Sequence, residues 1–369
     1  TLLKLKKGMQ PRPLNVRDCY GLRVEQNAAN LANHIAVIFE GRQVTWAELN
    51  ALANQYAAFL TAQGLKRGDV VSMMMDNRIE FVAALVALNK LGIIGGLLNT
   101  NLTGRPLTHC LSVTGSKKCL VGAESVDAIT GVLDNLDLQA GVDFLFVADN
   151  DATECPDWAV NMTSACESLP TDNPASTVAA TLGDVALYIY TSGTTGHPKG
   201  AMQSHKAVIT NGAMTSQMQM RSSQDCVVSA LPCPHVYANV IMMSMMMFGS
   251  KLVLHRTFDV ELAFADIAAH KATIFDGVPA MYMFMLNSPT LKDADLSSLT
   301  RCYVGGQTMP VATMEAVEAA FQIPLIELWG MTEIAGLGST HPFYGTNKHG
   351  SIGCALPYCE LRIANAEHA

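Results

Sequence analysis

A short apolar run that breaks into a loop of small, hydroxylated and basic residues constrains this chain more than any other feature. Val185-Ala186-Leu187-Tyr188-Ile189-Tyr190 reads as a buried strand. It is followed by Thr191-Ser192-Gly193-Thr194-Thr195-Gly196-His197-Pro198-Lys199-Gly200, and from 204 to 220 the spacing turns helical. Glycine lets such a loop turn with φ > 0 and leaves room for a bulky anion. Successive backbone N–H groups and hydroxyls can donate to phosphate oxygens, and Lys199 adds a point charge suited to phosphate. A Walker A loop requires G-x-x-x-x-G-K-[ST], whereas Lys199 lies between Pro198 and Gly200. A flexible linker has no need of a buried strand before it or of a Pro-Lys-Gly ending.

With 369 residues the chain can build a large core and more than one subdomain. Apolar residues make up 49% and charged residues 15%, so most of the chain should be packed. The net charge is −8 with no basic block, which argues against nucleic acid as the main partner. Ten cysteines without C-x-x-C pairs read as reduced, buried thiols of a cytoplasmic protein. Residues 2–7 are too short and too basic for a signal peptide. The greasiest run, 239–248, has about half the length of a membrane-spanning helix, so no transmembrane segment is expected. It reads as a buried helix, and its methionines would also make a pliable wall for an apolar ligand. Peripheral membrane contact stays open.

Hydrophobic periodicity alternates between strand and helix along the chain. Strands are expected at 36–39, 43–45, 70–75, 93–98, 118–121 and 144–147, and again at 185–190, 226–231, 251–255, 273–277, 301–304 and 325–329. Helices are expected between them, including 80–91, 126–136, 205–219, 237–248, 260–270, 280–287 and 311–321. Thr45-Trp46-Ala47-Glu48 is a capping box that opens a helix. Residues 149–181, rich in Asp, Thr, Ser, Asn and Pro, read as a surface connection. The expected division is 1–180, 181–338 and 339–369, the last beginning a small β-structure with short strands at 351–353 and 360–363. The class is α/β: helix-covered, mainly parallel sheets.

The loop at 191–200 closely resembles the phosphate loop of the adenylate-forming superfamily, which includes acyl-CoA synthetases, luciferases and peptide-synthetase adenylation domains. Four further segments resemble that family in its order. Leu231-Pro232-Cys233-Pro234-His235-Val236-Tyr237 resembles the segment whose histidine stands at the mouth of the acyl pocket. Tyr303-Val304-Gly305-Gly306-Gln307 resembles the turn beside the adenine, and Leu328-Trp329-Gly330-Met331-Thr332-Glu333 resembles the second specific motif. Gly350-Ser351-Ile352-Gly353 resembles the entry to the small β-barrel, while Asn99-Thr100-Asn101-Leu102 with His109-Cys110-Leu111 is similar to fatty-acid transport proteins and long-chain synthetases.

The resemblance implies two packed sheets in an αβαβα arrangement plus the start of a β-barrel. It also implies a two-step reaction: a carboxylate attacks the α-phosphorus of ATP, and a thiol, usually coenzyme A, then displaces AMP from the acyl-adenylate. It implies that Thr191, Ser192, Gly193, Thr194, Thr195, Gly196 and Lys199 hold phosphates, and that Gly305, Gly306, Gln307, Trp329, Gly330, Met331 and Thr332 hold the nucleotide. Glu333, with Thr191, would hold Mg²⁺, a hard cation suited to a carboxylate and phosphates. His235, Tyr237, Val278, Gly305, Gly330 and Gly336 would border the carboxylic acid, and Thr332, Glu333, His235 and Lys199 would carry the catalytic role. The family's later Tyr-x-Thr-Gly-Asp stretch and its mobile C-terminal domain with an essential lysine are not in this sequence. The resemblance therefore implies the nucleotide- and acyl-binding portion only, with weak turnover by this chain alone. A medium- or long-chain fatty acid is the first expectation. An aryl acid, a carrier-protein-loading module and a non-catalytic binding relative remain open, as does a homodimer by family analogy.

Overall fold

A computed structural model describes residues 12–149, 153–191 and 198–365. Its strands are β1 (Ile35–Phe39), β2 (Arg42–Thr45), β3 (Val70–Met74), β4 (Ile94–Leu97), β5 (Lys118–Gly122), β6 (Phe144–Val147), β7 (Val160–Asn161) and β8 (Val185–Thr191). They continue with β9 (Lys199–Ser204), β10 (Cys226–Ser229), β11 (Lys251–Leu254), β12 (Ile274–Gly277), β13 (Arg301–Val304), β14 (Leu325–Met331), β15 (Gly336–Thr340) and β16 (Cys354–Ala355). The helices are α1 (Tyr20–Asn30), α2 (Trp46–Ala62), α3 (Ile79–Leu91), α4 (Gly104–Val113), α5 (Val126–Thr130) and α6 (Met162–Cys166). After them come α7 (His205–Met218), α8 (Val236–Phe248), α9 (Val260–His270), α10 (Pro279–Asn287) and α11 (Val311–Phe321).

Two sheets result. One has nine strands in the order β16-β15-β14-β13-β12-β10-β11-β1-β2, the other seven in the order β7-β6-β5-β3-β4-β8-β9. Both are parallel in their centres and antiparallel at edges formed by hairpins. The central strands β3, β5, β6, β10, β12 and β13 are buried throughout, as parallel strands covered on both faces must be. Helices α3 and α8 are also buried on nearly every side. Helix α3 touches β4 of one sheet and β1 of the other, which places it in a layer between them. A helix apolar all round is stable only in such a place. No helix among the described residues is long and apolar enough to cross a membrane.

Each sheet draws strands from both sides of residue 180, the expected point of division. Strand β1 runs parallel to β11 and joins the nine-stranded sheet, while β8 runs parallel to β4 and joins the seven-stranded one. The expected capping box is present: Thr45 accepts from the Glu48 backbone and Glu48 accepts from the Thr45 backbone. Several local expectations need correction. Residues 126–136 form only α5 and a 3-10 turn at Leu133–Asn135. The 149–181 connection carries β7, α6 and a 3-10 turn at Ala175–Ala179. Strands β9 and β15 were not anticipated. Residues 351–353 and 360–363 form no strand, and exposed Leu361 and Ile363 lie where no neighbour offers a ladder to pair with.

Candidate functional site

The nine-stranded sheet brings the expected motifs to one edge. Strands β10, β12, β13 and β14 lie side by side and parallel, so their carboxyl ends open in the same direction. His235 follows β10, Val278 follows β12, Gly305-Gly306-Gln307 follow β13, and Trp329-Gly330-Met331 end β14 just before Thr332-Glu333. In an open parallel sheet this is the edge at which ligands bind.

Close backbone approach explains the glycines. The Gly305 N–H donates to the Gly277 carbonyl at 3.4 Å, and a Cβ on Gly305 would collide with the Leu328 side chain. Gly306 has φ +85°, and a Cβ there would stand 3.4 Å from Val278 Cγ1. Trp329 lies across Gly338, whose missing Cβ would be 2.6 Å from indole Cζ3. The indole remains 36% exposed, which leaves an apolar face available for a flat ligand. Thr332 to Ile334 form a 3-10 turn between β14 and β15. Ala335 closes it at φ 61°, a left-handed conformation that costs a non-glycine residue about 1 kcal/mol or more. Glu333 is exposed and carries no ion pair among the described residues. Three or more His, Cys, Asp or Glu side chains placed to hold a metal are not found among the described residues.

The phosphate-loop candidates Ser192, Gly193, Thr194, Thr195 and Gly196 lie outside the described residues, as does His197. The two ends of that loop are described. Thr191 pairs with Lys199 at the tip of the β8–β9 hairpin, so Lys199 opens a strand rather than sitting within the loop. Helix α4 holds both ends: Tyr190 Oη donates to the Cys110 carbonyl at 2.7 Å, and His109 Nε2 donates to the Pro198 carbonyl at 3.0 Å. Burial pushes the Tyr190 phenol up to about 12, so it stays a neutral donor.

The hairpin docks on the edge just described. Strand β9 packs against the Thr332–Ile334 turn, and Gln203 Nε2 donates to the Thr332 carbonyl at 3.0 Å. A cavity of about 360 Å³ also joins the two sheets, with Asn99, Asn101, Tyr190, His235 and Arg256 in its wall. His235 caps α8 by accepting the Tyr237 N–H at Nδ1, 3.2 Å away, which leaves its proton on Nε2. Its outer edge meets solvent, but neighbouring protein displaces enough water to hold its pKa below the ordinary value, so the ring is neutral at pH 7.

Tyr237 occupies a different environment from the other acyl-pocket candidates. It is buried, and its hydroxyl donates to Asp276 Oδ1 at 3.3 Å. Asp276 is fully buried and takes both its oxygens to Arg221 Nη2, at 2.9 and 2.8 Å. Tyr237 is thereby bound to an ion pair whose carboxylate is carried by β12 itself. Gly336 is also enclosed: it has φ +139°, and a Cβ there would run into Val240 and Asn211. Asn211 was not singled out from sequence. It donates to the Leu337 carbonyl at 2.8 Å and accepts the Leu337 N–H at 3.1 Å, imitating a neighbouring strand for β15. Gln203 and Arg221 were also missed, because Gln203 lies in the mixed run Lys-Gly-Ala-Met-Gln-Ser and Arg221 in a polar connection between α7 and β10, where neither stands out.

Fold and site together define an α/β protein with the β8–β9 hairpin docked on the carboxyl edge of a mainly parallel sheet. The chain belongs to the AMP-binding enzyme family, whose profile matches residues 24–369. It is 31% identical over 305 residues to the medium/long-chain-fatty-acid–CoA ligase FadD6 of Mycobacterium tuberculosis, covering 82% of this chain and 49% of that protein. It is 31% identical over 328 residues to the long-chain-fatty-acid–CoA ligase FadD13 of the same organism, covering 87% and 61%. The chain thus spans about half to three-fifths of the length of these relatives. Among solved structures, the inhibitor-bound N-terminal domain of FACL13 from Mycobacterium tuberculosis aligns with a TM-score of 0.82 at 28% identity, covering 92% of this chain and 83% of that one.

Proposed function

We propose that this chain is the nucleotide- and acyl-binding portion of an AMP-forming acyl-CoA ligase that activates a medium- or long-chain fatty acid. In the proposed reaction a carboxylate oxygen bonds to the α-phosphorus of ATP as the bond to pyrophosphate breaks. The sulfur of coenzyme A then takes the acyl carbon and AMP leaves. The substrates supply both nucleophiles, so the protein's task is to position them and to offset negative charge.

The observation that carries the reading is the docking of the β8–β9 hairpin on the edge formed by His235, Gly305, Gly306, Trp329, Thr332 and Glu333. Lys199 and donors of the loop would meet the phosphates, Thr332 the α-phosphate, and Trp329 with Gly305, Gly306 and Gln307 the adenine. Glu333 and Thr191 suit Mg²⁺ because that ion is held by one or two carboxylates together with phosphates and water, rather than by a protein cage. When bound, it would neutralise phosphate charge. Neutral His235 with its Nε2 proton turned outward can donate to the carboxylate of the acid. The methionines of α8, buried beside the edge, suit an unbranched apolar chain, and the names of the fatty-acid ligases FadD6 and FadD13 favour the same class.

Calorimetry with ATP, AMP and a non-hydrolysable octanoyl-adenylate analogue tests this. Wild type should bind all three, with ATP binding strengthened by Mg²⁺. Glu333→Ala should abolish the Mg²⁺ dependence, and Lys199→Ala should weaken ATP about tenfold or more while leaving AMP within about threefold. Absence of nucleotide binding by the wild-type chain would sink the reading. A coumaroyl-adenylate analogue binding much more tightly than the octanoyl one would move the substrate to aryl acids.

A further inference from the structure

Strand β9 reverses the usual placement of polarity. Met202 is 71% exposed, whereas its neighbour Gln203 is 2% exposed. On an edge strand with one covered face, the apolar side chain belongs inside and the amide outside. An inverted pair is informative because a buried amide must be matched by partners. Gln203 spends its donor on one group, the carbonyl of Thr332, 129 residues away in sequence and in the other sheet.

That carbonyl begins the turn that ends in left-handed Ala335, whose N–H also donates to it at 3.0 Å. Strand β15 on the far side of the turn is fixed to α7 by the paired hydrogen bonds of Asn211 with Leu337. Helix α7 follows β9 directly. The Thr332–Glu333 turn is thus held twice by the chain that leaves the β8–β9 hairpin, once by Gln203 before it enters α7 and once by Asn211 within α7.

We propose that Gln203 is a positioning residue: it locks the Thr332–Glu333 turn to strand β9, so that Lys199 at the start of that strand and the Glu333 carboxylate keep a fixed separation. This rests on the function proposed above and adds to it the device that sets the span of the site. A ligand that reaches both elements depends on that span, and a ligand that reaches one does not. ATP with Mg²⁺ would reach both; AMP lacks the β- and γ-phosphates and would touch only the Thr332 side.

The variants are Gln203→Met, which keeps length and loses the donor, and Gln203→Glu, which presents an acceptor to a carbonyl oxygen. Each should lose about three- to tenfold in affinity for MgATP, the value of one neutral hydrogen bond, with affinity for AMP unchanged within a factor of about two. Amide exchange over 332–335 should quicken in both ligand-free variants while the core of α8 exchanges as in wild type. Parallel losses for ATP and AMP, or an unchanged ratio together with unchanged exchange, overturn the inference and leave the proposed function standing. Wild type that binds neither nucleotide removes both. A variant that melts well below wild type is read by exchange alone: protection lost everywhere means a structural role and overturns the proposal, and protection lost only at the turn supports it.

Discussion

Glycine at 330 is dictated by what faces it. The β14–β15 hairpin shifts register between Trp329 and Gly330, and the chain turns back tightly through Ala335. A Cβ on Gly330 would therefore run into the carbonyl oxygen of Gly336, a backbone atom that no rotamer change can move aside. The substitution Gly330→Ala is expected to cost about 3 kcal/mol, at the upper end for overpacking, because relief requires opening the hairpin. Denaturant unfolding should show that loss as a lower midpoint with an unchanged slope. The same variant should lose nucleotide binding, since the residues displaced are those on either side of Thr332. Gly306 gives the contrast: its Cβ would meet Val278 only at 3.4 Å, so the objection there is the positive φ rather than the space. An Ala there should cost clearly less than at 330.

At the scale of elements, α7 shows how the sequence supports the site and what limits that support. It starts at His205, directly after β9, with Ser204 capping it by accepting the Ala207 N–H. The His205 ring is buried, accepts from Asn89 Nδ2 at 3.4 Å and meets the Tyr20 ring edge-on. Desolvation holds its pKa down at about 4; Asp184 and Asp18 pull it upward, and Arg67 pushes it further down, by lesser amounts. Between about pH 4 and 6.5 the unfolded chain binds a proton here that the folded chain does not, so stability rises with pH across that window. Acidification from pH 7 to 4.5 should remove on the order of 2 to 3 kcal/mol through this residue. His205→Leu, whatever its stability at pH 7, should lack that component, and the difference between the two melting-temperature profiles isolates it. A parallel pair of profiles would contradict the assignment.

Strands and helices with a strong period were legible at nearly their observed limits, as at 251–255, 301–304 and 311–321. Strands β9 and β15 were not, because Lys-Gly-Ala-Met-Gln-Ser and Gly-Leu-Gly-Ser-Thr lack β-branched and aromatic enrichment. Their extended state is conferred by partners, β8 for the one and β14 with Asn211 for the other. The residues that would touch a ligand announced themselves by type, since Gly, Thr, Lys and Glu in those orders suit phosphate. Gln203 and Asn211 act through another segment, so their meaning depends on a packing that no local pattern contains.

At the scale of the whole molecule the sheets and the chain order cross. A cut at 180 would take β4 from β8 and β1 from β11, turning the strands of buried Leu187, Ile189 and Val253 into open sheet edges. It would also part α8 from α1, against which it packs. The connection preceding 180 is itself bound to the core: Asn54 Nδ2 donates to the Thr171 carbonyl at 2.7 Å, and Asn50 Nδ2 to Asn173 at 2.9 Å. Fully buried Lys90 sits between those two asparagines, its Nζ 2.6 Å from each side-chain oxygen and 3.1 Å from Glu25. An ammonium enclosed so tightly is tolerated only while all its partners stay in place. The intact chain should therefore unfold in one calorimetric transition, with van't Hoff and calorimetric enthalpies in a ratio near one. Separate chains of 1–180 and 181–369 should each lack near-ultraviolet circular dichroism and aggregate, and should recover the signal only when refolded together. A monomeric 181–369 chain with native circular dichroism would mean that the second block completes its own sheet. In that case the separation between Lys199 and Glu333 would have to be fixed within residues 181–340 alone, by the Gln203 and Asn211 contacts and without help from the helical layer shared by the two sheets.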